Sequence, residues 1–244
     1  MRNILQGFLS ITFGVIFALF LLVVFSLHPQ PESPYSYETT STHYSIGDKQ
    51  AIRRSVNSAV RVVSMDVEKG EMSSLSGTYF VYHGKYYILT SAHGIIGSCK
   101  KIFVMHLDET SNCKDMIVIN RKNDYAIFEV EEMFSRKAIS IPRALPNWRN
   151  SYNILDKIYY TGYPNSIGPT TWTGNISGFT GDYIIVQSYA WSGASGSGIF
   201  DEKGELIGII MALDVGSNEF GYQVLNNFLV VVPIWVVDFD IIME

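Results

Sequence analysis

Residues 77–93 read GTYFVYHGKYYILTSAH. Two runs rich in aromatic and β-branched residues flank His83-Gly84, which predicts a β-hairpin with its turn at that pair. The second run, YYILT, ends close to a histidine, His93. The same pattern recurs on both sides. Upstream, VRVVSM reads as a strand, and DKQAIRRSVNSAV before it suits one short helix. Downstream come KKIFVMHL, DMIVIN, YAIFEV, KIYYTGYP, DYIIVQSY, ELIGIIMAL and FLVVVPIWVV. These runs are short and separated by Gly, Asn and Asp. No long helical period follows residue 60. The expected fold class is therefore all-β, a sandwich or barrel architecture.

Composition agrees with a packed domain. Apolar residues make up 47% and charged residues 17% of 244 residues, enough for one domain of about 200 residues with a sizeable core. A net charge of −5 and the lack of a Lys/Arg cluster give no sign of nucleic-acid binding. Nothing in the Cys and His spacing suggests a metal site, and no cofactor is expected. KKIFVMHL and DMIVIN read as a hairpin turning near residues 109–112. That would leave Cys99 and Cys113 about 20 Å apart, as free thiols.

The N-terminus differs from the rest. Residues 4–27 form an uncharged apolar run long enough to cross a bilayer, for which about 20 residues are needed. The run is longer than the apolar region of a cleaved signal peptide, which is the second reading. Arg2 precedes it and no Lys or Arg follows before Lys49, which keeps the N-terminus cytoplasmic and sends the remainder across. The expected organisation is a transmembrane signal anchor (1–27), a Pro- and Ser-rich tether (28–46), two halves of a β domain (47–140 and 141–237) and a short tail (238–244). The final apolar run, 228–237, is too short to span and contains Pro233, so it reads as a core strand.

Three sites carry possible chemistry. Of the histidines, His28 and His43 lie in the tether, His83 at a turn and His106 inside a strand; His93 alone closes a rigid apolar strand. Asp124 opens the alternating segment YAIFEV, whereas Asp108 and Asp115 look solvated. WSGASGSGIF, residues 191–200, carries Gly193 and Gly196 around Ser195. Glycine reaches backbone angles closed to other residues, so such a loop can turn its amides toward one point. Taken alone, His93 reads better as a structural histidine and Asp124 as a turn residue, and the Gly/Ser loop reads evenly as a turn. Together they supply a nucleophile, a base and a carboxylate to orient the base.

In order and spacing, the three sites resemble a chymotrypsin-fold (trypsin-like) serine peptidase, nearest in pattern to the glutamyl endopeptidase and HtrA-type branch. TSAHGI is similar to that family's T-x-x-H block, DYAIFEV to its D-x-A block and GASGSG to its G-x-S-G block. His93, Asp124 and Ser195 follow in that order, 31 and 71 residues apart. GYPNSIGPTTWTGNIS and GELIGIIMAL resemble the stretches before and after the family's serine. The resemblance covers about residues 55–237. It implies two packed antiparallel β-barrels. It also implies an endopeptidase with His93 as base, Asp124 as its orienting acid and Ser195 as nucleophile, and protein or peptide as substrate. The amides of Gly193 and Ser195 would bind the oxyanion. Tyr189, Met211, Ala212 and Leu213 fall where substrate would lie.

Some positions depart from the family. Gly198 stands where the family usually has Pro. Ala194 replaces the Asp of enzymes switched on by a freed N-terminus. Tyr189 replaces the Asp that selects Lys or Arg. An inactive peptidase-fold binding module is the competing reading. An α/β-hydrolase elbow is excluded by Ser197 and by the lack of any histidine after His106.

Overall fold

The computed structural model describes residues 45–141, 151–218 and 221–243. The expected membrane anchor and tether lie outside the described residues. Among those described, no helix is long and apolar enough to cross a membrane.

The described chain opens with helix α1, Ile46–Ser58. Ser45 caps it: the Asp48 amide donates to Ser45 Oγ, and the Ser45 amide donates to Asp48 Oδ2. Asp48 is buried, and Tyr159 Oη donates to its other oxygen at 2.5 Å, which holds the carboxyl below its ordinary range. The capping carboxylate thus also docks the helix onto the second half of the domain.

The remainder is strand. The first half contains β1 (Ala59–Asp66), β2 (Glu71–Tyr82), β3 (Lys85–Thr90), β4 (Ile102–His106), β5 (Glu109–Asn120), β6 (Tyr125–Val130) and the short β7 (Ile139–Ser140). The pairing runs β1-β4-β5-β6-β3-β2 and closes through β1–β2, with β7 added parallel to β2. The second half contains β8 (Lys157–Gly162), β9 (Thr170–Thr180), β10 (Tyr183–Gln187), β11 (Gly198–Asp201), β12 (Leu206–Asn218) and β13 (Gly221–Pro233). They close as β10-β13-β12-β11-β8-β9. Both barrels are six-stranded and antiparallel.

Why several strands read as continuous apolar runs is now clear. Alternate residues serve different cores. In β2, Tyr79 faces the first barrel's interior and Phe80 a separate cluster between the barrels. In β3, Ile88 points inward while Tyr87 and Leu89 join that cluster. In β12 and β13, Ile210 and Val231 fill the second barrel, and Ile209 and Val232 face the first. A strand buried on both faces loses its polar alternation. Each such side chain contributes about 1.5–3 kcal/mol by leaving water, so the contact between barrels is a core in its own right.

The hairpin at His83-Gly84 forms as expected, with φ of 45° and 78°. The expected hairpin turn at 109–112 does not. The chain turns at Leu107-Asp108, with Leu107 at φ 49°, and Phe103 pairs with Asn112. This shift brings Cys113 to the open end of the hairpin, beside Cys99. Their Cα atoms are 5.3 Å apart, and they form a disulfide rather than the two free thiols expected. β13 also ends at Pro233. Residues 234–236 turn as a short 3-10 helix and do not continue the strand.

Candidate active site

His93 sits in a 3-10 turn, Ala92–Gly94, immediately after β3 and Ser91. Its backbone N–H donates to Asp124 Oδ1 at 2.7 Å, and its ring Nδ1 lies 2.8 Å from Asp124 Oδ2. An ionised carboxylate only accepts, so Nδ1 carries the hydrogen in this pair and Nε2 is left as the ring's acceptor. Asp124 adopts a left-handed backbone, φ 53°, in the turn before β6. Asp tolerates that region better than most residues. The loop after His93 is closed by Arg121, whose guanidinium donates to the carbonyls of Ala92 and Ile95, each at 2.6 Å. Ser64 Oγ accepts from the amides of Ile96 and Gly97.

Ser195 lies in the loop between β10 and β11. Gly193 and Gly196 take φ of 93° and 86°, angles that L side chains rarely adopt. Successive carbonyls of the loop all have donors. That of Ser192 accepts from the Asn165 amide at 2.7 Å, Gly193 from Ser76 Oγ at 2.7 Å, Ala194 from the Ser197 amide at 3.0 Å and Ser195 from the Ser76 amide at 2.9 Å. The amides of Ala194 and Gly196 donate to Trp191 and Ile210. The amides of Gly193 and Ser195 donate to nothing among the described residues. Two unspent N–H groups on a closed loop can receive a developing negative charge.

His93 and Ser195 line one cleft of about 190 Å³, together with Ala190, Trp191, Ser192, Ala194, Ile210 and Met211. Met211 is thus among the residues that line the cleft. Tyr189 does not line it: its side chain is exposed, and its carbonyl accepts from Tyr160 Oη. Ala212 and Leu213 continue β12 beside the cleft, but their side chains lie outside the described residues. Ser197 is fully buried, away from solvent. Gly198 has a spatial reason: a Cβ there would come within 2.6 Å of Thr78 Oγ1. Among the described residues no His, Cys, Asp and Glu group is arranged to hold a metal.

Several residues at this site had no signal in the sequence. Trp191 is an exposed aromatic at the cleft. Ser91 Oγ donates to the Ile210 carbonyl across the barrels at 2.8 Å. Beneath the loop, Tyr163 Oη meets His106 Nδ1 at 2.5 Å. Burial raises the Tyr163 phenol and lowers the His106 imidazole, the latter also disfavoured as a cation by Arg136. His106 is buried at the junction of the two barrels.

Residues 76–209 match the family model of the trypsin-like peptidase domain, more than half of the chain. The chain belongs to that family. No curated protein matches its sequence. Solved structures of similar fold include the serine endoprotease from Yersinia pestis, at 23% identity and a TM-score of 0.57, covering 76% of this chain and 61% of that one. The HtrA-type protease AlgW, solved with a tripeptide, is 20% identical with a TM-score of 0.58, over 76% of this chain and 59% of its own. The Rv3671c protease from M. tuberculosis, in its active form, is 16% identical with a TM-score of 0.58, over 75% and 78%. This chain therefore spans about three fifths of the first two, and what it shares with them is the two-barrel, chymotrypsin-like fold.

Proposed function

We propose that this chain is a membrane-anchored serine endopeptidase whose catalytic residues are Ser195, His93 and Asp124. The observation that carries the reading is the pair of hydrogen bonds from His93, through ring and backbone, to Asp124, beside the cleft that His93 and Ser195 line. His93 Nε2 takes the proton from Ser195 Oγ as the hydroxyl attacks the scissile carbonyl. Asp124 keeps the ring in the required tautomer and stabilises the imidazolium. The amides of Gly193 and Ser195 bind the oxyanion, and the protonated His93 then delivers its proton to the leaving amine. Water, activated by the same base, releases the acyl-enzyme. Met211, with Ala212 and Leu213 along β12, flanks the substrate.

Residues 4–27 hold the enzyme in the membrane, with the barrels on the extracytoplasmic side. The Cys99–Cys113 disulfide supports that placement, since such bonds persist mainly in oxidising compartments.

Fluorophosphonate labelling tests the chemistry. The wild-type chain is expected to take the probe at one site and the Ser195→Ala chain to take none. Labelling that survives in Ser195→Ala and disappears on changing Ser197 overturns the assignment. A wild-type chain that neither takes the probe nor cleaves unfolded casein is instead an inactive binding module.

A further inference from the structure

Ser76 lies in β2 of the first barrel, fully buried, 117 residues from Gly193 in sequence. Its hydroxyl donates to the Gly193 carbonyl at 2.7 Å and accepts from the Tyr163 amide at 2.8 Å. Its own amide donates to the Ser195 carbonyl at 2.9 Å. Its carbonyl accepts from Thr90 Oγ1 at 2.6 Å. Every polar atom of the residue is therefore committed, and two of its bonds end on the loop that carries Ser195.

The peptide planes show what those two bonds do. A peptide unit is planar, so fixing its carbonyl also fixes the amide of the next residue. The Ser76 hydroxyl fixes the Gly193–Ala194 unit, and the Ser76 amide fixes the Ser195–Gly196 unit. Between them lies Ala194–Ser195, the unit that presents the unspent Ser195 amide. The other unspent amide belongs to Ser192–Gly193, whose carbonyl is held by the Asn165 amide. Asn165 follows Tyr163 by two residues, and Tyr163 is tied to the Ser76 hydroxyl. One residue thus braces both halves of the loop, its hydroxyl at Gly193 and its amide at Ser195.

We propose that Ser76 is the positioning residue of the oxyanion-binding loop: from the opposite barrel it fixes the peptide units around Ala194–Ser195 so that the Gly193 and Ser195 amides stay free and convergent. The catalytic part of this inference rests on the proposed nucleophile; the bracing of the loop does not. Once the hydroxyl is gone, the Gly193–Ala194 unit keeps only the bond from the Ala194 amide to the Trp191 carbonyl at 2.9 Å, and the unrestricted backbone of Gly193 opposes its reorientation little. Ser76→Ala leaves the backbone bond to Ser195 in place. It removes the donor to Gly193 and the acceptor for Tyr163.

The test pairs two readouts on the full chain in detergent micelles. The first is fluorophosphonate labelling, resolved into the rate at saturating probe and the half-saturating concentration. The second is amide hydrogen exchange over residues 190–200 and 163–167. Ser76→Ala is expected to slow the saturating rate roughly 10- to 100-fold, by comparison with removal of an oxyanion donor. The half-saturating concentration should change little. Exchange in the two segments should rise about tenfold or more, with the strands of both barrels unchanged. Ser76→Cys, close in size and a weak donor, should fall between, and it carries the test if the alanine variant does not fold. Ser111→Ala, which removes a buried serine hydroxyl in the same barrel that makes no hydrogen bond to a described residue, should match wild type in both readouts. Unchanged exchange in the loop overturns the proposal. So does a rise spread evenly through the barrels, which marks general destabilisation. If the wild-type chain takes no label, the peptidase reading fails, and the exchange data alone support or overturn the bracing.

Discussion

The loop that bears His93 and the loop that bears Ser195 are held in different ways. The His93 loop is closed almost entirely from within its own barrel. Arg121, Asp124 and Ser64 bind its backbone, and the Cys99–Cys113 disulfide pins the segment that follows it. The Ser195 loop takes two of its carbonyl donors from Ser76, in the other barrel. Its glycines, at φ 93° and 86°, let it fold down onto that partner. The His93–Asp124 pair can therefore form with the first barrel alone, whereas the Ser195 loop takes its final shape only when the barrels dock. Chemistry that needs both is thereby coupled to completion of the fold.

Replacing Gly196 should break the second half of this comparison most severely. A Cβ at that position would lie 2.1 Å from the Ser76 carbonyl oxygen and 2.3 Å from Thr90 Oγ1, on a backbone at φ 86°. Neither neighbour is the free end of a flexible side chain, so the loop must leave its seat. A non-glycine residue held in such a conformation costs about 1–3 kcal/mol before any clash. Gly196→Ala is expected to lower stability by about 3 kcal/mol or more in urea unfolding and to abolish probe labelling. Labelling within a factor of two of wild type would mean that the loop is not seated on Ser76.

The disulfide sharpens the first half. Cys99 and Cys113 are 14 residues apart, and closing a loop of about that length stabilises a protein by about 3 kcal/mol in the chain-entropy account. Replacing both cysteines by serine is expected to cost about 2–3 kcal/mol, measured by urea unfolding. Labelling of the remaining folded protein should stay near the wild-type rate, because Arg121 and Asp124 still close the His93 loop. A large loss of labelling with little loss of stability would show instead that the covalent pin, not the hydrogen bonds, sets the position of His93.

The same contrast explains what could be read from the sequence. The hairpin at His83-Gly84 was legible because the turn pair and both strands are adjacent in the chain. The turn at Leu107-Asp108 was not. Leucine at φ 49° is a poor turn signal, and the polar run after it drew the expected turn a few residues too far, which hid the disulfide. β9 was not read as a strand either: its residues TTWTGNISGFT are largely polar or glycine, and most of its positions are at least partly exposed. His93, Asp124 and Ser195 could be named from local blocks and their order. Ser76 could not, because its meaning lies in partners 87 and 117 residues away, made neighbours only by the docking of the barrels.

Ser197 is where the smallest effect is expected. It shares the Gly/Ser loop with Ser195 and, on composition alone, could equally be the nucleophile. Its hydroxyl is fully buried and makes no hydrogen bond to a described residue. It fills the space over Gly162, where a Cβ would come within 2.2 Å of Ser197 Oγ. A buried hydroxyl without a partner retains its desolvation cost and gains nothing in return, so removing it is close to neutral or stabilising. Its amide and carbonyl, which bond Ala194 and Ile210, remain in the alanine variant. Ser197→Ala is therefore expected to change stability by less than about 0.5 kcal/mol, or to raise it, and to label at the wild-type rate. A drop in labelling comparable to that of Ser195→Ala would mean that a buried hydroxyl reaches the cleft, and the division between an anchored His93 loop and a docked Ser195 loop would have to be drawn around a different serine.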